Sequence, residues 1–124
     1  MEEPRKLILI VDDNPVNLEI LEECLGDNNN LHSASDGHEA LEIAPRIQPD
    51  LIILDVMMPG IDGYETCKRL RTMEELKKTK IVIVSAKAMP SDRKMGIKAG
   101  ADDYITKPFK EDELLEALHP YLNE

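Results

Sequence analysis

Residues 51–63 read LIILDVMMPGIDG and carry the strongest structural signal in this sequence. The aliphatic run from Leu51 to Leu54 has no polar break, a pattern typical of a short strand buried on both faces of a parallel sheet. Asp55 ends the run. An unpaired carboxylate is too costly deep in such a core, so it should emerge at the carboxyl end of the strand. Ligands bind at that edge in open α/β sheets. The sequence PGIDG at 59–63 then predicts a turn.

The rest of the chain repeats this alternation of strand and helix patterns. Unbroken aliphatic runs at 7–11 and 81–84 predict two more buried strands, whereas LHSAS at 31–35 alternates and DYIT at 103–106 is short. A helical pattern of apolar residues follows each strand. Such alternation predicts parallel strands with right-handed crossovers. We therefore expect an α/β fold of five β-α units, with the three apolar strands central and the LHSAS strand at an edge.

Several residues predict where the helices begin, bend or end. The Asn14–Pro15 pair suits an N-cap and a first helical position, and the polar residues 26–30 should close that first helix. Pro45 predicts a kink or an early end of the second helix near Ala44. Gly96 lowers the stability of the helix expected at 89–99, because glycine is a poor helix former.

Composition limits the classes of function. The chain has 124 residues, and we expect a single domain over residues 1–124. A net charge of −10 and a pI near 4.7 argue against direct binding to nucleic acid or anionic membranes. No apolar run approaches the roughly 20 residues of a membrane span, and the start lacks a signal-peptide core. Cys24 and Cys67 lack metal-type spacing, so we interpret them as reduced thiols of a cytoplasmic protein.

Polar residues follow four of the predicted strands and should meet at one edge of the sheet. They are Asp12 and Asp13 after the first strand, Asp55 after the third, Ser85 after the fourth and Lys107 after the fifth. Carboxylates held close together repel one another, and a hard divalent cation such as magnesium relieves that repulsion. A lysine and a hydroxyl would serve the oxygens of a phosphoryl group. The set predicts phosphoryl transfer to a carboxylate, with Asp55 as the nucleophile.

Each of these residues also has an ordinary structural interpretation. Asp12 and Asp13 could cap the first helix, Asp55 could be a turn residue, Ser85 could cap or turn, and Lys107 could be solvated. The functional interpretation is favoured because four unremarkable residue types occur at four equivalent positions of the sheet.

The sequence resembles the receiver domains of bacterial two-component response regulators over essentially its whole length. Four motifs carry the resemblance: ILIVDDN at 8–14, LDVMMPGIDG at 54–63, VSA at 84–86 and GADDYITKPF at 100–109. The resemblance implies a flavodoxin-like (βα)5 three-layer sandwich with a five-stranded parallel sheet in the order 2-1-3-4-5.

The same resemblance implies a role for each matching acidic residue. Asp55 is expected to be the phosphoacceptor. Asp13 and Asp55 are expected to bind Mg²⁺ directly together with the backbone carbonyl of Met57, and Asp12 is expected to act mainly through a bound water. Mn²⁺ is the expected substitute for Mg²⁺.

Other matching residues are expected to hold the phosphoryl group and respond to it. Ser85 and the backbone N–H of Ala86 should hydrogen-bond phosphoryl oxygens, and Lys107 should pair with the oxygen opposite the metal. The Lys107–Pro108 bond resembles one that is cis in the family. Tyr104 matches the aromatic residue that turns inward as the hydroxyl moves toward the phosphoryl group. Two variable positions, Met57 and Lys87, match those that tune the lifetime of the phosphate.

The expected partners follow from the resemblance as well. A histidine kinase or a histidine phosphotransfer protein should supply the phosphoryl group, and the receiver should assist its own phosphorylation and dephosphorylation without being an enzyme. The helix at 89–99, the last strand and the last helix should form the surface that signals to a downstream protein or a tethered output domain. A phosphorylation-dependent dimer is a further expectation, and neither nucleic acid nor a membrane is expected as a direct partner.

Four other functions fit the sequence less well. A magnesium-dependent phosphohydrolase of the haloacid dehalogenase type needs an acid two residues after the nucleophile, where Met57 stands. A flavodoxin-type flavin module needs a loop rich in hydroxyl groups and glycine after strand one, where DDNPVN would repel the cofactor phosphate. An EF-hand needs glycine at the position of Asn17. A receiver-like module that binds proteins without phosphorylation is the remaining alternative.

Overall fold

The computed structural model describes residues 6–26, 29–56, 62–87 and 89–122. Strands and helices alternate throughout these ranges. The elements are β1 (Lys6–Val11), α1 (Pro15–Leu25), β2 (Asn29–Ala34), α2 (Gly37–Ile47), β3 (Leu51–Leu54), α3 (Gly63–Arg71), β4 (Lys80–Ser85), α4 (Pro90–Ala99), β5 (Asp103–Thr106) and α5 (Glu111–Leu122). A short 3₁₀ helix, Glu74–Leu76, precedes β4.

The strands form one parallel sheet in the order β2-β1-β3-β4-β5. The three aliphatic strands β1, β3 and β4 lie in its centre, and β2 lies at an edge. Central strands of a parallel sheet are covered on both faces, which explains their continuous apolar sequences. The flavodoxin-like fold and the strand order expected from the sequence are confirmed.

Side chains of the central strands point alternately to two separate hydrophobic layers. One layer contains Leu9, Ile52 and Ile81 and packs against α2 and α3. The other contains Ile8, Ile53 and Val82 and packs against α1 and α5. Full burial of each such side chain contributes about 1.5–3 kcal/mol, so the sheet provides a rigid base for the residues at its ends. The arrangement is the three-layer sandwich that was expected.

Two local expectations are corrected by the structure. Helix α2 continues past Pro45 to Ile47, so the early end near Ala44 is wrong. Pro45 has no N–H to donate, so the helix lacks one hydrogen bond there. The last turn still forms because Ile47 packs against the core and the Gln48 N–H donates to the Ala44 carbonyl at 2.8 Å. Strand β2 begins at Asn29, two residues earlier than expected, because it pairs with β1 from Lys6 onward.

The topology places the carboxyl ends of β1, β3, β4 and β5 along the same edge of the sheet. The residues at or just after these ends are the polar ones singled out in the sequence. Among the described residues, no helix has the length and apolar character that a membrane crossing requires.

Candidate functional site

The backbone of the sheet holds the acidic residues at this edge. The Asp12 N–H donates to the Ala34 carbonyl at 3.1 Å, and the Asp55 N–H donates to the Val11 carbonyl at 3.0 Å. The pairing of β1 with its neighbours therefore extends one residue past the regular strands. Both carboxylates leave the sheet from a fixed backbone, which makes their relative position a property of the fold.

Three carboxylates meet at this point. One oxygen from each of Asp12, Asp13 and Asp55 lies within 4.8 Å of the other two. Asp12 is 2% exposed and Asp55 is 7% exposed, whereas Asp13 is open to solvent. Within the part of the chain that the structure describes, no other group of acidic, histidine or cysteine side chains comes together in this way. The cluster concentrates negative charge in a partly dry site, where charges interact strongly.

Lys107 contributes the cation of the cluster. Its Nζ lies 3.3 Å from Asp12 Oδ2 and 3.3 Å from Asp55 Oδ2. The Lys107 N–H donates to the Ser85 carbonyl at 2.8 Å, which ties the end of β5 to the end of β4. The Lys107–Pro108 peptide bond is cis, as expected. The ammonium group thus contacts two of the three carboxylates, and the remaining negative charge of the cluster favours an additional cation.

Helix capping is performed by Asn14 and not by the acids before it. Asn14 Oδ1 accepts hydrogen bonds from the N–H groups of Val16 at 2.8 Å and Asn17 at 3.4 Å. Asp12 Oδ1 instead accepts the N–H of Asn14 at 2.9 Å, which orients the carboxylate. Since its other oxygen contacts Lys107, Asp12 belongs to the acidic cluster, and the interpretation of this residue as a simple cap is wrong.

Ser85 lies at the end of β4 with its side chain fully buried. Its Oγ accepts the N–H of Lys87 at 3.2 Å, and Ala86 between them is exposed. The Lys87 ammonium lies 5.7 Å from the ring centroid of Tyr64, within the range of a cation–π contact. The segment 85–87 thus starts at the acidic edge and leads toward α3.

Tyr104 points inward and contacts the same segment. The side chain is 4% exposed, and its hydroxyl donates to the Lys87 carbonyl at 2.9 Å. The Tyr64 hydroxyl lies 3.4 Å from the Tyr104 hydroxyl. Burial, followed by this hydrogen bond, raises the pKa of Tyr64 above its usual range. Ser85 and Tyr104 are therefore connected through Lys87, by one hydrogen bond on each side.

The structure shows where several of the predicted site residues lie. It brings together the side chains of Asp12, Asp13, Asp55 and Lys107. Met57 lies outside the described residues, so its two expected roles stay predictions. Lys87 contacts Tyr64, and its effect on phosphate lifetime is likewise a prediction. Tyr64 is not among the predicted site residues, because nothing in the sequence pairs it with Tyr104.

The acidic cluster fits a hard divalent cation. Magnesium takes oxygen ligands at about 2.0–2.1 Å, so two ligands on opposite sides of the ion lie about 4 Å apart. The three carboxylate oxygens lie within 4.8 Å of one another, so all three can contact one ion once the side chains draw closer to it. Carboxylates are the expected ligand type, and the exposed Asp13 opens the cluster to solvent.

The sequence of this chain is similar to those of a known protein family. The sequence model described as "Response regulator receiver domain" matches residues 8–119. The response regulator MprA of Mycobacterium leprae is 44% identical over 117 residues, which are 93% of this chain and 50% of that protein. The chain therefore spans about half the length of the curated relatives it matches.

Solved structures agree with the sequence comparison. A putative response regulator from Chloroflexus aurantiacus superposes with a TM-score of 0.90 at 38% identity, covering 98% of this chain and 100% of that one. The receiver domain of the sensor histidine kinase PA1611 from Pseudomonas aeruginosa superposes with a TM-score of 0.88 at 33% identity, covering 98% of this chain and 100% of that one. That structure has a magnesium ion coordinated in the active site cleft. By fold, by sequence and by its acidic pocket, this chain belongs to the response regulator receiver domain family of two-component signal transduction.

Proposed function

We propose that the Asp55 carboxylate is the phosphoacceptor of this receiver and that Asp12, Asp13, Ser85 and Lys107 support it. The observation that carries the proposal is the meeting of three carboxylates and one lysine ammonium at the carboxyl edge of the sheet. Asp55 follows β3, the middle strand of the sheet, and it is nearly buried while its carboxylate lies 3.3 Å from the lysine ammonium. These features suit a group that reacts inside a shielded pocket.

The acidic cluster is the proposed metal site. Asp13 and Asp55 would hold Mg²⁺, or Mn²⁺ in its place, with Asp12 acting through a bound water and the Met57 carbonyl completing the protein ligands. When bound, the cation neutralises charge on the oxygens of the phosphoryl group. The same kind of site is named in the Pseudomonas aeruginosa receiver structure, which supports the assignment.

The reaction proposed for Asp55 is a displacement at phosphorus. A carboxylate oxygen of Asp55 forms a bond to phosphorus while the bond from phosphorus to the donor histidine nitrogen breaks, and that nitrogen keeps the electron pair. The Lys107 ammonium, already 3.3 Å from the acceptor carboxylate, would pair with a phosphoryl oxygen as negative charge develops there. The Ser85 hydroxyl and the Ala86 N–H would donate to the remaining oxygens.

A groove beside the site supports a protein as phosphodonor. A cavity of about 400 Å³ lies between α1 and the start of the β5–α5 connection, and its lining includes Ile20, Lys107 and Phe109. Val16 and Ile20 on α1 are 62% and 44% exposed, which is unusual for large aliphatic side chains. We propose that a histidine kinase or a histidine phosphotransfer protein docks here and presents its phosphohistidine to Asp55.

The opposite flank of the site is the proposed output surface. Exposed large hydrophobic residues here are Met89 just before α4, Met95 and Ile97 on α4, and Leu115 on α5. A downstream protein or a tethered output domain would bind this surface, and a phosphorylation-dependent dimer would use it as well. We also infer that residues 1–124 form one receiver domain that works in the cytoplasm, since Cys24 and Cys67 are free thiols.

Magnesium-dependent phosphorylation tests this proposal. Incubation with acetyl phosphate and MgCl₂ should add the mass of one phosphoryl group to the intact chain, and EDTA should abolish the addition. Asp55→Asn should remove it, whereas Asp50→Asn, the same change at the other end of β3, should not. An unmodified wild-type chain, or an Asp55→Asn chain that is still modified, would contradict the proposal.

The phosphohydrolase alternative is separated from the receiver by turnover. A receiver takes up one phosphoryl group and releases it slowly, so it should not hydrolyse p-nitrophenyl phosphate through repeated cycles. Sustained turnover that Asp55→Asn abolishes would favour the enzyme. If a kinase binds both wild type and Asp55→Asn but phosphorylates neither, the result would favour a receiver-like module that binds proteins without phosphorylation.

A further inference from the structure

Gly96 lies in the middle of α4 and faces the Tyr104 ring. A Cβ atom built at Gly96 would lie 2.8 Å from Tyr104 Cδ2, 3.2 Å from Tyr104 Cε2 and 3.0 Å from Ile83 Cδ1. Carbon atoms that are not bonded pack at about 3.5–4.0 Å, so any side chain at this position would overlap the ring. The inward Tyr104 therefore occupies space that exists only because residue 96 has no side chain.

The backbone of α4 does not explain this glycine. Among the described glycines, the one with a positive φ is Gly100, which ends α4 at φ 113°. Gly96 has an ordinary helical conformation that alanine adopts more readily, and a glycine in a helix interior lowers stability. The space taken by the Tyr104 ring is the remaining reason for glycine at position 96.

Tyr104 cannot avoid a new side chain by a small shift. Its carbonyl accepts a hydrogen bond from Arg93 Nη1 at 2.9 Å, and its hydroxyl donates to the Lys87 carbonyl at 2.9 Å. With the backbone held, the ring clears the new side chain by giving up its hydrogen bond to Lys87 and rotating about the Cα–Cβ bond into another staggered position. An added methyl group at position 96 would thus select between two positions of the ring.

We propose that Gly96 is a positioning residue for the switch, since the missing side chain at this place in α4 makes the inward position of Tyr104 available. This inference rests on the proposed function, because the Tyr104–Lys87–Ser85 path matters for signalling only if Asp55 is phosphorylated. Substitution of Gly96 would leave the phosphoacceptor chemistry in place and disconnect it from α4.

The position of the ring can be measured directly by NMR. In wild type, the Ile83 δ1 methyl group and the Tyr104 ring protons should give a nuclear Overhauser effect, because both groups approach the same point beside Gly96. Gly96→Ala should remove that effect. The matched control is Gly26→Ala, where the new Cβ would meet only Leu31 Cδ1 at 3.8 Å and φ is −66°. Retention of the inward ring in Gly96→Ala would overturn the inference.

A double-variant comparison separates ring position from helix stability. In a Tyr104→Ala background, Gly96→Ala should lower the unfolding equilibrium constant about four- to fivefold, because alanine is the better helix former and no ring is displaced. In the wild-type background this gain should disappear, because the displaced ring loses its burial and its hydrogen bond to Lys87. An equal gain in both backgrounds would contradict the inference.

The signalling consequence is tested with acetyl phosphate and magnesium. Gly96→Ala should become phosphorylated on Asp55 as fast as wild type, within about twofold, since Gly96 contacts none of the carboxylates. The amide chemical shifts of α4 should then respond to phosphorylation in wild type and not in Gly96→Ala; an equal response in both would contradict the inference. Failure of wild type to become phosphorylated would count against the proposed function alone, because the NMR and double-variant experiments need no phosphate.

Discussion

Lys107 is the residue whose removal most sharply tests the electrostatics of the site. Replacement of Lys107 by methionine keeps much of the length of the side chain and removes its charge. The substitution leaves Asp12 and Asp55, which are 2% and 7% exposed, without the ammonium group that lies 3.3 Å from each of them. We expect the free energy of unfolding to fall, and we expect added magnesium to restore much of the loss.

The magnitude follows from the burial of the three groups. At an effective dielectric constant of about 20, unit charges at the observed spacing attract by roughly 5 kcal/mol per pair before desolvation is subtracted. Breaking a buried pair by removing one partner lowers stability by about 3–5 kcal/mol in measured cases. The Lys107 side chain is 19% exposed, so water screens part of its attraction to the two carboxylates. We therefore expect Lys107→Met to lower the free energy of unfolding by about 2 kcal/mol.

Urea unfolding at neutral pH, with EDTA or with MgCl₂, measures this effect. Lys77→Met is the matched control, because Lys77 forms a 3.0 Å ion pair with Glu74 but the two side chains are 65% and 82% exposed. Exposed pairs contribute about 0–1 kcal/mol, so the control should change little in either buffer. If the two variants lose the same stability in EDTA, or if magnesium does not reduce the loss in Lys107→Met, the electrostatic argument for the site is refuted.

Two further predictions concern the fold around the site. Arg71 donates hydrogen bonds to two backbone carbonyls and to Asp102 at 2.9–3.0 Å, so Arg71→Met should lower the free energy of unfolding, measured in urea, by about 2–3 kcal/mol. The control is Arg46→Met, which removes an exposed ion pair and should lower it by less than about 0.5 kcal/mol. Equal losses in the two variants would contradict a stabilising role of the Arg71 hydrogen bonds. Burial raises the pKa of Cys67 from 9.0 to about 11, so on raising the pH the thiol ionises in the unfolded chain before it ionises in the folded one. The free energy of unfolding should therefore fall by up to about 3 kcal/mol as the pH rises from 9.0 to about 11. The fall should be smaller in Cys67→Ala, and identical pH profiles of the two proteins would contradict it.

The architecture was readable from sequence because its signals are local. The run from Leu51 to Leu54 is apolar without interruption, and the structure buries it in the centre of the sheet. Asp55 follows that run, so the parallel topology alone brings it to the sheet edge where Asp12 follows β1 and Lys107 follows β5. The Asn14 cap was visible for the same reason, since it depends only on Asn14 and the Pro15 that follows it.

Features that depend on distant contacts were missed or misjudged. Helix α2 continues through Pro45 because Ile47 has a core to pack against, which local helix rules do not include. Gly96 was interpreted only as a weak point of α4, although its importance lies in the Tyr104 ring. Tyr64 meets Tyr104 across 40 residues of sequence, and no spacing rule relates the two positions.

Locating the phosphoryl group tests the central claim most directly. Sodium borohydride reduces an aspartyl phosphate to homoserine, so treatment after phosphorylation marks the acceptor, and peptide mass spectrometry reads its position. The account predicts homoserine at position 55 in wild type, in the presence of magnesium only. Homoserine at position 12 or 13, or a chain without homoserine after full incubation, would contradict the account.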